Sequence, residues 1–114
     1  MELTFSKEPF PELTFSGNAL ARHGFTPGIR IAVQHQHSAL FISVVHDNAL
    51  WEAVCEASEH NPKLSADWVR DDGQLVVGGD WLTAMGITEA EHVDVATVPN
   101  IIIIRRRMEG ILRA

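Results

Sequence analysis

The chain has one cysteine, Cys55, so an internal disulfide is excluded. It has no apolar run longer than Ile101 to Ile104, far short of a bilayer span. Its opening, MELTFSKEPF, lacks the apolar core of a secretory signal. These features together predict a cytoplasmic protein without a membrane partner. The chain also lacks a Gly-rich phosphate loop, a nucleophile elbow and a Cys/His zinc pattern. No cofactor and no metal are therefore expected, and no motif by itself assigns an enzyme class.

Basic charge is scarce as well. Nine Lys and Arg face fifteen Asp and Glu, a net charge of −6, which excludes a basic field over the whole molecule. The deficit is uneven. Residues 1–46 balance to zero, with three acids against Lys7, Arg22 and Arg30. Residues 47–94 carry −9, with eleven acids against Lys63 and Arg70. Residues 95–114 carry +3, with Glu109 against four arginines. Any nucleic-acid contact must come from a local patch, with the acidic middle turned away. With 46% hydrophobic residues and a mean hydropathy of +0.02, the 114 residues suit one folded domain or two very small ones sharing a core.

What the chain does have is a repeat. LTFSGNALARHGFTPGIRIAV (residues 13–33) aligns without a gap to LVVGGDWLTAMGITEAEHVDV (residues 75–95), an offset of 62. Leu13/Leu75, Gly17/Gly79, Leu20/Leu82, Gly24/Gly86, Thr26/Thr88 and Val33/Val95 are identical. Average composition would give roughly one or two matches. Leu13 and Phe15, and Leu75 and Val77, alternate as in a strand. Gly17 and Gly79 end it. Ser16, Asn18 or Asp80 is then placed to cap a short helix. Leu20, and Trp81, Leu82 and Met85, supply its apolar side. Gly24 and Gly86 suit the left-handed position that closes a helix.

A second alternating strand follows in each copy, with Ile29, Ile31 and Val33 or Val93 and Val95. In the first copy Pro27-Gly28 predicts a type II turn before it. In the second copy Glu89-Ala90 requires a different turn. ALFISVV and IIIIRRR supply the third strands. Each module reads strand–helix–strand–strand, too little to close a core alone. Two modules together can close one.

The predicted organisation is therefore a first module at 1–45, a connector at 46–74, a second module at 75–107 and a tail at 108–114. In the connector, Asp47 is placed to cap a helix with Leu50, Trp51, Val54 and Cys55 on one face, ending near Asn61-Pro62. Asp72-Gly73 then reads as the turn of a hairpin. Cys55 has no basic neighbour to lower its pKa and reads as a structural thiol.

The ordered series resembles a known family. Leu3-Thr4-Phe5-Ser6 matches a short opening strand; Pro11, Leu13, Phe15, Gly17, Leu20, Gly24, Phe25, Gly28, Ile31 and Val33 match the positions that follow. Leu75, Val77, Gly79, Trp81, Leu82, Gly86 and Val95 match them again. The pattern is similar to the SymE-like toxin family, related to the AbrB/MazE swapped-hairpin superfamily, here in tandem. Ala19 stands where that family usually has Trp, and Trp81 restores it in the second copy. The resemblance implies a mainly β fold with short helices, two βαββ modules forming a swapped-hairpin, AbrB-like barrel. It also implies a bacterial toxin–antitoxin-associated protein that binds nucleic acid, RNA before DNA, with endoribonuclease activity. AbrB-like DNA binding is the alternative. The tandem copies imply a monomeric pseudo-dimer or a homodimer.

Candidate site residues follow. His35 and His37 lie on one face if their strand continues. They read as an acid–base pair for RNA transesterification, as two metal ligands lacking a third, or as a solvent-exposed polar hairpin end. Arg105, Arg106 and Arg107 suit phosphates, or guard a strand end against edge pairing. If extended, Arg105 and Arg107 face one way and Arg106 the other. Arg22, His23 and Arg30 form the first copy's basic set, opposite Ala84, Met85 and His92 in the second. The acidic stretch from Asp47 to Asp94 is either a solvated face or the surface for a basic partner of an antitoxin-like or immunity-like protein.

Overall fold

The computed structural model describes residues 1–8, 10–36 and 38–107. In chain order the elements are β1 (Glu2–Ser6), β2 (Glu12–Ser16), α1 (Asn18–Arg22), β3 (Arg30–Gln36), β4 (Ala39–Val44) and α2 (Asn48–Ser58). They continue with β5 (Leu64–Trp68), β6 (Leu75–Gly78), α3 (Asp80–Ala84), a 3-10 turn (Ala90–His92), β7 (Val93–Val98) and β8 (Ile101–Arg106). The molecule is mainly β with short helices, as expected, and each repeat is a strand–helix–strand–strand unit. The strands form two antiparallel sheets, β1-β2-β6 and β5-β3-β4-β8-β7, in place of the single closed barrel the resemblance implies. Strand pairing stops at the edges of each sheet, and the sheets meet through side chains instead.

The offset of 62 governs the pairing. β2 lies against β6 with Leu13 opposite Val77, Thr14 opposite Val76 and Phe15 opposite Leu75. Adding 62 to the first-module partner of a pair and subtracting 62 from the second-module partner yields the other pair, so the two strands are related by a pseudo-two-fold axis through Thr14 and Val76. β4 and β8 obey the same rule: Ala39 faces Arg105, Phe41 faces Ile103 and Ser43 faces Ile101. The axis passes there through Phe41 and Ile103. Within the modules the registers also coincide, Ile31 with Val44 and Val93 with Arg106. The repeat thus extends well past the 21 residues in which identity is visible.

The core has the same symmetry. Leu13/Leu75, Phe15/Val77, Leu20/Leu82, Phe25/Ile87, Ile31/Val93, Leu40/Ile102 and Ile42/Ile104 are all buried. Each pair places one residue from each module in a common cluster. Burying such a side chain contributes about 1.5–3 kcal/mol, and neither module could bury its half without the other.

Local chemistry shows why the helices are short. Gly24 and Gly86 take positive φ, +95° and +82°. At each, the following residue donates from its backbone to the buried leucine of the helix, Phe25 to Leu20 and Ile87 to Leu82, both at 2.9 Å. The glycine itself donates to Ala21 or Thr83. Both ends are Schellman closures with their apolar contact. The N-termini differ from expectation. Gly17 and Gly79 are the capping residues, with no side-chain hydrogen bond from Ser16, Asn18 or Asp80. Their φ of +108° and +147° turns the chain so sharply that Asn18 and Asp80 already lie inside the helix. Pro27-Gly28 forms the predicted type II turn, with Gly28 at φ +81° and Ile29 donating to Thr26.

The connector helix is capped as predicted, the Asp47 carboxylate accepting from the N–H groups of Ala49 and Leu50. None of its residues is fully buried, and Cys55 is half-exposed. The predicted hairpin is absent. Residues 70–74 do make a tight turn, with Arg70 donating to Gln74 and Gly73 at φ +85°. Its arms then part: β5 pairs with β3 and β6 with β2. β1 and β2 carry an identical pentapeptide, ELTFS, and pair antiparallel about Thr4 and Thr14.

Candidate nucleic-acid interface

The two basic sets occupy opposite ends of the molecule. Arg105 pairs across the sheet with Ala39, at the start of β4, whereas Arg30 accepts at its carbonyl from Val45, just past the end of β4. At about 3.4 Å per residue, the length of that strand separates them by roughly 20 Å. Arg22 and His23 close α1, beside the turn between β7 and β8, where Asn100 donates its backbone N–H to the His23 carbonyl at 2.8 Å.

Two members of the first set are structural. Arg30 donates to the His46 carbonyl at 3.0 Å and to Asn48 Oδ1 at 2.9 Å, and its guanidinium lies 5.5 Å from the Trp51 ring centroid. These contacts fasten the start of α2 to β3. The His23 ring sits 2.8 Å from the Ala19 carbonyl through Nδ1 and so finishes its own helix. Arg22 is exposed in the last turn of α1, a favourable place for a cation.

The second set alternates as predicted. Arg105 stands on the outer face of the five-stranded sheet, in a row with Gln36, Ala39 and Asp94. Shallow hollows flank it, one lined by Asp94, Ala96 and Ile103, the other by Gln36, Ser38 and Phe41. Arg107 donates through Nε to Asp94 Oδ1 at 2.9 Å, so part of the local positive charge is neutralised. Arg106 points to the inner side and lies along Gly86, where an added Cβ would come within 2.8 Å of its Nε. Arg105 and Arg106 are both exposed.

His35 lies on the inner face, opposite Leu40, and so on the other side of the sheet from Arg105. Its N–H donates to the Lys63 carbonyl at 2.8 Å, and its ring centroid is 6.0 Å from that of Trp81. Its Nε2 is enclosed and has no hydrogen-bond partner among the described residues. His37 falls outside the described residues. Among the described residues no group of three His, Cys, Asp or Glu side chains could hold a metal ion. A hollow of about 320 Å3 between α1 and the turn at 72–74 has Asp72 as its one charged lining residue, which does not suit a phosphate. No helix among the described residues is long and apolar enough to cross a membrane.

Sequence reasoning missed Trp81 and Lys63 as neighbours of His35, because both come from other parts of the chain. One sign was visible: Trp81 stands where the first copy has Ala19, a large difference between equivalent positions. Comparison with protein-family models, with characterised proteins and with solved structures gives no match.

Proposed function

We propose that this chain is a tandem, single-chain SymE-like protein of the swapped-hairpin type that binds single-stranded RNA. The interleaving supports the swapped-hairpin reading: β2 and β4 of one module pair with β6 and β8 of the other, and Asn100 reaches across to α1 and β4. The observation that carries the functional reading is the end of β8. Arg105 and Arg106 are exposed there, on opposite faces of the sheet, while their counterparts in the first module are Ser43 and Val44. That pole therefore offers two exposed arginine forks, which suit phosphate oxygens. Binding, not cleavage, is the proposed activity, since His35 and Arg105 occupy opposite faces and no carboxylate or second histidine lines the cleft at His35 among the described residues. A toxin–antitoxin setting and preference over DNA rest on the family resemblance.

The test is anisotropy of labelled single-stranded RNA and DNA across a salt series. Affinity should fall as salt rises, with a slope of about 0.7 per phosphate contact. Arg105→Gln with Arg106→Gln should weaken binding and flatten that slope, whereas Arg22→Gln should change neither. Absence of binding to either nucleic acid at low salt rejects the reading.

A second reading has one observation in its favour. Leu50 and Trp68 are 54% and 58% exposed, amid the acids of α2 and β5, an arrangement suited to a basic protein partner of an antitoxin-like or immunity-like module. A partner retained after nuclease treatment, and lost in Leu50→Asp, would favour it.

A further inference from the structure

We infer that the cleft between the start of β5 and α3, lined by His35, Lys63, Ser65 and Trp81, receives one phosphate group of the bound single strand. The inference rests on the nucleic-acid reading above and names a contact that reading does not contain.

The first ground is the enclosed His35 Nε2, which no group among the described residues satisfies. An unpaired buried polar atom costs about 1–3 kcal/mol, and its residue is one of those that line the cleft. An imidazole N–H can donate to an anion. The second ground is the donor set. Lys63 brings an ammonium and Ser65 a hydroxyl, and no carboxylate among the described residues lines the cleft. Lysine is a phosphate binder as a point charge. Its backbone is held in place by the bond from His35 N–H to the Lys63 carbonyl.

Size is the third ground. The cleft measures about 50 Å3, while a water occupies about 30 Å3 of liquid. It admits one small polyatomic group and excludes a nucleobase. The pseudo-symmetry supplies the fourth ground. Val33 and Leu40 have their counterparts Val95 and Ile102, but His35 maps to Thr97 and Trp81 to Ala19. The donors are thus an addition to one half and not a by-product of the duplication.

The cleft also lies where a strand bound at Arg106 would run. Trp81 stands in the first turn of α3, and Gly86, which Arg106 covers, lies just beyond its end. Five helical residues span about 7.5 Å, so neighbouring backbone phosphates can engage both points.

The experiment uses the full chain with two probes, inorganic phosphate and a short single-stranded RNA. The His35 ring resonances are followed by NMR and RNA affinity by anisotropy. RNA should shift the His35 resonances in the wild type. Lys63→Gln, a substitution at an exposed loop residue, should weaken RNA binding several-fold and lower the salt slope by about one contact's worth. Ser65→Ala should weaken it less, and the thermal midpoint of both variants should match the wild type. If Lys63→Gln binds RNA with unchanged affinity and slope while the Arg105/Arg106 double variant is impaired, the cleft inference is overturned and the nucleic-acid reading stands. If inorganic phosphate shifts His35 but RNA does not bind, the cleft serves a free anion, and both the inference and that reading fail.

Discussion

Phe41 of β4 lies directly opposite Ile103 of β8, its own counterpart 62 residues along the chain. A residue can face its repeat-mate in this way only where a two-fold axis passes between them, as it does again at Thr14 and Val76. The two modules therefore share one core.

Unfolding should accordingly be a single transition. Leu13→Ala and Leu75→Ala, at fully buried equivalent positions, should each lower stability by about 2–5 kcal/mol. Calorimetry should show one peak in the wild type and in both variants. Two resolved transitions would mean that the modules fold independently.

Gly24→Ala should destabilise more than Gly86→Ala. Both glycines have positive φ, which costs an L side chain about 1–2 kcal/mol. At Gly24 the new methyl would collide with Asn100 Oδ1, in a turn fixed by the bonds of Asn100 to His23 and Val44. At Gly86 the obstacle is the Arg106 side chain, which can swing aside. Urea midpoints of the two variants give the comparison.

Asp47→Ala should cost about 1 kcal/mol, because the carboxylate caps two N–H groups of α2. Asp47→Asn and Asp47→Ser should recover most of that loss. Equal melting of all three variants and the wild type would remove the cap from the account.

Asp94→Asn should tighten RNA binding at low salt. The carboxylate stands opposite Arg105 and accepts from Arg107, so its removal raises the local positive potential. Both partners are substantially exposed, so stability should change by less than about 1 kcal/mol. Weaker binding would show that Asp94 orders the arginines rather than opposing them.

Hydrogen exchange should expose an asymmetry between the modules. The odd-numbered residues of β3 turn their backbone groups toward β5, as His35 does to Lys63. The equivalent edge of β7 has no strand beside it among the described residues. The Val95 amide should exchange on the order of tenfold or more faster than that of Val33. Protection of Val95 that grows with protein concentration would report pairing of two copies at this edge.

Much of the fold was legible because it depends on local signals. Gly24, Gly86 and Pro27-Gly28 do what left-handed and type II positions require, and the alternation of Ile31 and Val33 places them inward. The hairpin at Asp72-Gly73 failed for the converse reason. A turn signal reports a change of direction, but the sheet each arm joins depends on distant strands. Asn18 and Asp80 were misplaced as caps because the preceding glycines, in a backbone region closed to other residues, start the helices one position early. At the site, the alternation of Arg105, Arg106 and Arg107 could be read from the strand period. The meeting of His35 with Lys63 and Trp81 could not, since it is made by β5 and α3 converging on β3.

The pairing of each module's strands with those of the other also has a consequence for how this molecule can change. In a dimer of identical chains every substitution appears twice, so a gain at one end imposes the same change at the other. Here the two ends are encoded separately, and Trp81 can arise without altering Ala19. The association is also intramolecular, governed by the tether and not by the amount of protein present. Dilution should leave the fold's melting temperature unchanged, and a single molecule presents two non-identical ends from the moment it folds.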